Sequence, residues 1–305
     1  MEVLALTPRG YCHGVVNAIK IMRNLVHDEH VKKPIHVLGM VVHNRKITDE
    51  FNALGLKALD DTHKSRLELL DEIDDGTIVF TAHGVSDLVY EKAISKGLEI
   101  IDTTCTDVKT SQETIKNYLK ADYDVIFIGK KHHPESETAL SYSDKVHLVT
   151  SVSDVLDLRI DNDRIAITNQ TTMSLFDIYK ITEAIRAKFE LAVLIEEQCD
   201  ATKTRQLAVM NQPKDVDHCF VVGDPKSNNS NKLVSVAQKE GIAASLIQGI
   251  EDLDIDYLKT INKVSVTSGA STPSQVTKEV VTFLEAFDKN DESTHDTTSS
   301  IKHLF

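Results

Sequence analysis

Short apolar runs rich in β-branched residues recur along the chain, separated by longer stretches whose apolar positions repeat at helical spacing. The runs predict strands over residues 3–6, 35–38, 77–81, 99–102, 124–128, 146–149, 164–168, 218–222 and 264–267. The helical pattern is clearest over 86–96, 111–121, 175–188 and 231–240. Strands apolar throughout, alternating with helices, are the mark of an α/β fold with mainly parallel sheets, whose strands are buried on both faces. In such sheets functional groups gather just past the carboxyl ends of the strands.

The polar residues concentrate there. Successive strand ends lead to His43, His83, Cys105, the pair His133 and Glu135, Thr171, the run Ser227, Asn228, Asn229, Ser230, Asn231, and finally Ser271. These fall into a threefold scheme, in which His43, His133 and Asn229 come first in each third and His83, Thr171 and Ser271 second. The separations are 40, 38 and 42 residues. Cys105 and Cys199 close the first two thirds, and Cys12, at the end of the first strand, can close the last. The cysteine spacings of 93 and 94 residues match the repeat. The pattern predicts three pseudo-threefold-related α/β units around a central cavity. Their expected bounds are 13–105, 106–198, and 199–288 joined by 1–12. Residues 289–305 are rich in Asp, Ser, Thr and His and are expected to form a disordered tail.

Composition narrows the function. An apolar fraction of 41% and a charged fraction of 27% in 305 residues are those of a soluble globular protein. A formal charge of −13 argues against nucleic acid, which demands a basic footprint, but not against an anion held by local donors. The opening MEVLALTPRG has neither a basic leader nor a long apolar core, and no run approaches the roughly 20 apolar residues of a membrane span. A cytoplasmic protein with no membrane partner is expected. In that reducing compartment Cys12, Cys105, Cys199 and Cys219 are thiols or ligands rather than disulfides.

Cys219 lies in the apolar run C-F-V-V and reads as core. The other three read either as buried core thiols or as soft ligands for an Fe–S cluster, zinc or copper(I). Structural zinc sites favour closely paired cysteines, and the chain has none. Three distant cysteines suit a cubane with one iron left open, a Lewis acid that can also deliver electrons. The histidines read as metal ligands, anion donors or surface residues. The Ser/Asn run ahead of a helix is either a phosphate cradle or a plain N-cap. Glu135 is the only acid in the strand-end clusters; it is a proton donor if enclosed beside a diphosphate, or else a first-turn surface glutamate. Thr171 could orient that acid or cap a helix.

P-R-G-Y-C-H-G-V at 8–15, V-V-H-N at 41–44, T-A-H-G-V-S at 81–86 and T-T-C at 103–105 resemble the 4-hydroxy-3-methylbut-2-enyl diphosphate reductase family. So do H-P-E at 133–135, N-Q-T-T at 169–172, D-P-K-S-N-N-S-N at 224–231 and S-G-A-S-T-P at 268–273. The match is in order from about residue 3 to 285. The resemblance implies reductive dehydroxylation of that allylic diphosphate to isopentenyl and dimethylallyl diphosphates, in the non-mevalonate isoprenoid pathway. It implies a [4Fe-4S] cluster on Cys12, Cys105 and Cys199. The diphosphate would be bound by His43, His83, His133, Ser227, Asn228, Asn229 and Ser271. Glu135 would supply protons, and Thr171 would hold that network. A ferredoxin or flavodoxin is the implied electron donor. Asp200, beside Cys199, would lower the cluster's potential if it faced the sulfurs.

Two other classes predict different residues. A non-catalytic Fe–S redox sensor needs the cysteines but not Glu135, Thr171 and the Ser/Asn run together. A zinc hydrolase built on the histidines calls for a close His pair on one helix, which is absent.

Overall fold

The computed structural model describes residues 1–61, 63–195 and 199–304. Among these, twelve strands form three sheets of four. In chain order they are β1 (Glu2–Ala5), β2 (Ile35–Leu38), β3 (Leu56–Leu59), β4 (Thr77–Phe80) and β5 (Glu99–Asp102). There follow β6 (Asp124–Ile128), β7 (Val146–Val149), β8 (Ile165–Asn169), β9 (Val193–Leu194), β10 (His218–Val222), β11 (Ala244–Ile247) and β12 (Lys263–Ser268). All pairings are parallel.

Read from the same edge, the sheets run β3-β2-β4-β5, β7-β6-β8-β9 and β11-β10-β12-β1. They are one topology, with β1 in the place that β5 and β9 hold. The N-terminal strand therefore completes the third sheet from the far end of the chain, pairing Glu2–Ala5 with Lys263–Val266. The repeat extends to single bonds. A glycine follows the last residue of β2, β6 and β10, and its N–H reaches the neighbouring edge strand each time. The bonds are Gly39 to Leu59 O, 2.9 Å; Gly129 to Val149 O, 3.0 Å; and Gly223 to Ile247 O, 2.8 Å.

By compactness the chain forms two units. One comprises Met1–His13, His43–Glu50 and the chain from Asp200 onward, and contains the sheet of β1 and β10–β12; the other comprises Gly14–Val42 and Phe51–Cys199, with the remaining two sheets. The expected boundary at 198/199 adjoins residues 196–198, which lie outside the described residues.

The strands legible in the sequence include all six central ones, β2, β4, β6, β8, β10 and β12, of which five are buried along their whole length and β12 at all but Lys263. Three edge strands were not expected: β3, β9 and β11. They are partly exposed and short, with polar residues breaking the apolar run, as in Leu-Lys-Ala-Leu and Ala-Ser-Leu-Ile. Helices supply the other layer. Phe220, Val264, Val280 and Leu284 share a core between the third sheet and the helix Ser274–Ala286. Ile78, Phe80, Val89 and Ala93 do so beside β4, and Ile126, Ile167, Ile181 and Ile185 beside β6 and β8. Each such valine, leucine, isoleucine or phenylalanine taken from water contributes about 1.5–3 kcal/mol.

Two helices begin earlier than their periodicity suggested. Thr106–Lys120 starts directly after Cys105, which is its N-cap, and Asn228–Lys239 starts after Ser227. Asn228 and Asn229 are thus first-turn helical residues rather than loop. The expected disordered tail also departs from its forecast, because it finds acceptors and a little apolar surface. Ser299 Oγ and Ser300 N–H donate to Glu279, 2.8 Å each, the Leu304 N–H donates to Glu50, and Ile301 and Leu304 pack on the core of the third sheet. Phe305 lies outside the described residues. Among the described residues no helix is long and apolar enough to cross a membrane.

Candidate functional site

In the unit holding β2–β9, the loops after β4, β6 and β8 build an enclosed acid. After β6 the chain passes Gly129 and then His132, which holds a left-handed φ of 60°. Such a conformation costs an L-residue of order 1–3 kcal/mol and persists where the surroundings fix it. It sets up His133 as N-cap of the helix Pro134–Leu140. Proline is pre-shaped for the first helical position, and His133 Nδ1 accepts the Glu135 N–H at 3.3 Å. An imidazole accepting through Nδ1 in its neutral form carries its proton on Nε2, which makes that nitrogen a donor.

Glu135 is 6% exposed. Its Oε2 accepts the Thr171 N–H and its Oε1 the Thr171 hydroxyl, both at 2.8 Å. His83 Nδ1 stands 3.8 Å from Oε1, and the His83 and His133 rings meet edge to face with centroids 5.4 Å apart. Four of the expected residues are therefore brought together: His83, His133, Glu135 and Thr171. A carboxyl in this setting is oriented at both oxygens, with imidazole beside it. That arrangement can hold and pass a proton.

Cys105 follows β5, and its N–H donates to Ala82 O at 3.0 Å, tying it to the His83 loop. Just before it, burial pushes the Asp102 carboxyl up, but hydrogen bonds from Lys109, Thr104 and Tyr90 outweigh this and hold it below the usual carboxylate range. The Thr104 N–H donates to Asp102 at 2.9 Å and Lys109 Nζ stands 2.6 Å away, so the Thr-Thr-Cys turn is fixed. A Cβ built on Gly14 would come within 2.6 Å of Cys105 Sγ, so only glycine lets the sulfur lie there. Cys199 is half-buried directly ahead of the helix Asp200–Met210, and Asp200 is exposed. Cys219 is fully buried in β10, and burial pushes its thiol up, as a core cysteine's would be.

In the other unit, the Cys12 N–H donates to Ala270 O at 3.0 Å, the counterpart of the Cys105 bond to Ala82, since Ala270 precedes Ser271 as Ala82 precedes His83. Gly10, at a φ of 77°, makes the turn before it, and its N–H donates to Ser268 Oγ at 2.7 Å. His43 leads into the helix Arg45–Ala53, where Asn44 Oδ1 accepts the Ile47 N–H at 3.2 Å. Ser271 Oγ donates to His43 O at 2.9 Å.

Ser227 caps the helix Asn228–Lys239, accepting the Ser230 N–H at 3.2 Å. Ser230 is fully buried, and a Cβ on Gly223 or Gly269 would strike it. The helix N-terminus is thereby drawn onto the ends of β10 and β12. Asn229, 4% exposed, has no hydrogen-bond partner for either amide atom among the described residues. Leaving such a group unmet costs about 1–3 kcal/mol. The turn offers hydroxyls, an amide and helix N–H groups together, the donor set that suits phosphate.

The structure corrects the repeat register on two points. His43, His133 and Ser227 each lie four residues after the strand-end glycine, so Ser227 rather than Asn229 is the third first member, and Asn229 corresponds to Glu135. Thr171 matches Ala82 and Ala270, so Thr172 rather than Thr171 is the partner of His83 and Ser271 in the scheme. Asp102 lies outside the candidates read from the sequence, and Ser230, Asn44 and Gly14 stand in its motifs without a role of their own. A small residue three positions after a helix cap was a signal for Ser230; the close approach of Gly14 to a sulfur left none.

A model of the LytB protein family matches residues 3–285. The 4-hydroxy-3-methylbut-2-enyl diphosphate reductase of Geobacillus kaustophilus is 48% identical over 296 residues, covering 96% of this chain and 93% of that one. The reductase of that name from Listeria monocytogenes is 46% identical over 296 residues, 96% of this chain and 89% of that one. Among solved structures, the E-1-hydroxy-2-methyl-but-2-enyl-4-diphosphate reductase of Plasmodium falciparum superposes with a TM-score of 0.88 at 32% identity, covering 95% of this chain and 89% of that one. A second, described as (E)-4-hydroxy-3-methyl-but-2-enyl diphosphate reductase, the terminal enzyme of the non-mevalonate pathway, gives 0.64 at 25%, covering 92% and 98%.

Proposed function

The chain belongs to the LytB protein family, and from that premise we propose a two-electron reductive dehydroxylation of 4-hydroxy-3-methylbut-2-enyl diphosphate, yielding isopentenyl and dimethylallyl diphosphates. It is a reductase of the non-mevalonate pathway. The observation that carries the finer reading is Glu135, buried and gripped at both carboxylate oxygens by Thr171, with His83 beside it.

In this reading His43, His83, His133, Ser227, Asn228, Asn229 and Ser271 bind the diphosphate. The unmet Asn229 amide and the capped helix N-terminus support it. Anchoring the unreactive end of a small substrate lets binding energy position the reacting end. The two electrons are taken up with two protons. Glu135 delivers the one that departs with the hydroxyl as water, and the second ends on a carbon of the product. Thr171 keeps the Glu135 carboxyl aimed. Cys12, Cys105 and Cys199 are the ligands of a [4Fe-4S] cluster. The donor set fits: three thiols outside any disulfide, each directly ahead of a helix, where partial positive charge favours an anionic centre, with Gly14 leaving room at Cys105. When bound, the cluster supplies the two electrons and a Lewis-acidic iron. The electrons come from an external ferredoxin or flavodoxin in the cytoplasm. The chain is read as three repeats, 13–105, 106–198 and 199–288 with 1–12, each contributing one cysteine.

Anaerobic purification with iron and sulfide counts, then substrate under dithionite, tests this. A brown protein with about four irons per chain that forms both products is expected. A colourless protein with stoichiometric zinc overturns the cluster. A brown protein that binds the diphosphate but leaves it unreduced favours a redox sensor.

A further inference from the structure

The His43 loop and the Ser227–Asn229 turn belong to different strand–helix connections, yet one side chain is bonded to both. Asp224 follows Gly223 at the end of β10 and is buried. Its Oδ1 accepts the Lys226 N–H at 2.8 Å, an Asx turn that leads into Ser227, whose own N–H donates to Asp224 O at 2.9 Å. Its Oδ2 accepts the N–H of Arg45 at 2.7 Å. Arg45 opens the helix Arg45–Ala53, so its N–H has no acceptor within the helix, and the carboxylate sits at that helix's positive end. Asp224 thus acts as an external cap for the helix that follows His43 while shaping the turn that presents Ser227.

We infer that Asp224 is a positioning residue for the diphosphate site, fixing the His43 loop and the Ser227–Asn229 turn relative to each other. A carboxylate accepts and never donates, so it offers a phosphate oxygen nothing but repulsion. Its contribution is therefore indirect, through the two backbone segments. The inference rests on the reading of those segments as the diphosphate site. It makes a prediction of definite sign. If Asp224 were merely a negative charge near an anion, neutralising it would tighten diphosphate binding; as a positioning residue, its loss weakens binding.

The test is calorimetric titration of the purified holo-protein with inorganic diphosphate, alongside KM and kcat. Asp224→Asn keeps the shape but turns an amide NH2 toward one of the two backbone donors. Affinity is expected to fall about 10- to 100-fold, the loss typical of a buried hydrogen bond to a charged group. KM should rise in step while kcat changes less than about threefold. Arg45→Pro removes the same bond from the other side, since proline is well accommodated at the first helical position and lacks the N–H. Arg45→Ala keeps the N–H and controls for the lost guanidinium. Arg45→Pro should weaken diphosphate binding where Arg45→Ala does not, and combining it with Asp224→Asn should add little. If Asp224→Asn does not fold, as judged by thermal unfolding, the Arg45 pair decides. Unchanged or tighter binding in a folded Asp224→Asn, or equal behaviour of the two Arg45 variants, overturns the inference alone. Wild-type protein that fails to bind inorganic diphosphate, or an Asn229→Ala variant that binds it as well as wild type, overturns the site reading beneath it.

Discussion

After β6 the chain runs through Gly129 to a helix cap at His133 and, two residues on, Glu135. After β10 it runs through Gly223 to a helix cap at Ser227 and, two residues on, Asn229. Both glycines give up a side chain to a serine three residues beyond the cap, Ser136 or Ser230. The scaffold is the same, but the two turns treat their central polar group in opposite ways. Glu135 has both oxygens bonded to Thr171. Asn229, equally buried, has its amide bonded to nothing among the described residues. The residue at the backbone position of Thr171 is Ala270, which has no hydroxyl to offer, and the next one, Ser271, turns to His43 O. A group whose bonds are made within the protein is held for a task that needs orientation. An unmet buried amide costs about 1–3 kcal/mol, which a ligand can relieve. In the proposed reading, one repeated turn serves proton handling in one sheet and anion binding in another.

The two turns separate most widely in Glu135→Gln. It is expected to lower kcat by about 10²- to 10⁴-fold, the usual contribution of a positioned acid, with inorganic diphosphate affinity unchanged within about threefold. Pre-steady-state turnover and calorimetry on the same holo-protein check both halves, and undiminished turnover removes Glu135 from the proton path. Asn229→Ala should do the reverse. Diphosphate affinity falls about 10- to 100-fold, while the unliganded protein melts no lower than wild type, because deleting an unmet buried amide removes a penalty rather than a bond. A melting temperature well below wild type would mean that Asn229 is structural after all. Thr171→Val lies between them. It deletes the hydroxyl bond to Oε1 but leaves the backbone bond to Oε2, so kcat should fall about tenfold and chemical denaturation should show a loss of about 1–2 kcal/mol.

Much of this is legible in the sequence. The apolar runs marked every central strand, because a strand buried on both faces is predominantly apolar, and the cysteine spacing assigned Cys12 to the repeat that β1 completes by pairing with β12. The pairing of Thr171 with Glu135 could be anticipated from the strand-end clusters and the family resemblance. What stayed hidden lacks a local pattern. Among the edge strands, β9 is only two residues long, and β3 and β11 are too mixed in polarity to announce themselves. The difference between a met carboxylate and an unmet amide depends on Thr171 and Ala270 holding the same backbone position, a register that only tertiary structure reveals. The register error at Asn229 arose from matching residue types, since Ser227 corresponds to two histidines by backbone position alone.

The smallest expected effect tests how far the shared scaffold reaches. Ser136 and Ser230 both sit beneath a strand-end glycine and both are buried, 1% and 0% exposed. Ser230 Oγ donates to Ser227 Oγ at 3.0 Å, whereas Ser136 Oγ has no partner among the described residues. If the two serines were there only for their size, replacing either by alanine would change stability by the same small amount. The bonding predicts asymmetry: Ser230→Ala costs about 0.5–1.5 kcal/mol, and Ser136→Ala is neutral or slightly stabilising. Equilibrium urea unfolding of the two variants distinguishes these outcomes. Equal losses would mean that the hydroxyls are incidental, and that the contrast between the turns begins only at Glu135 and Asn229.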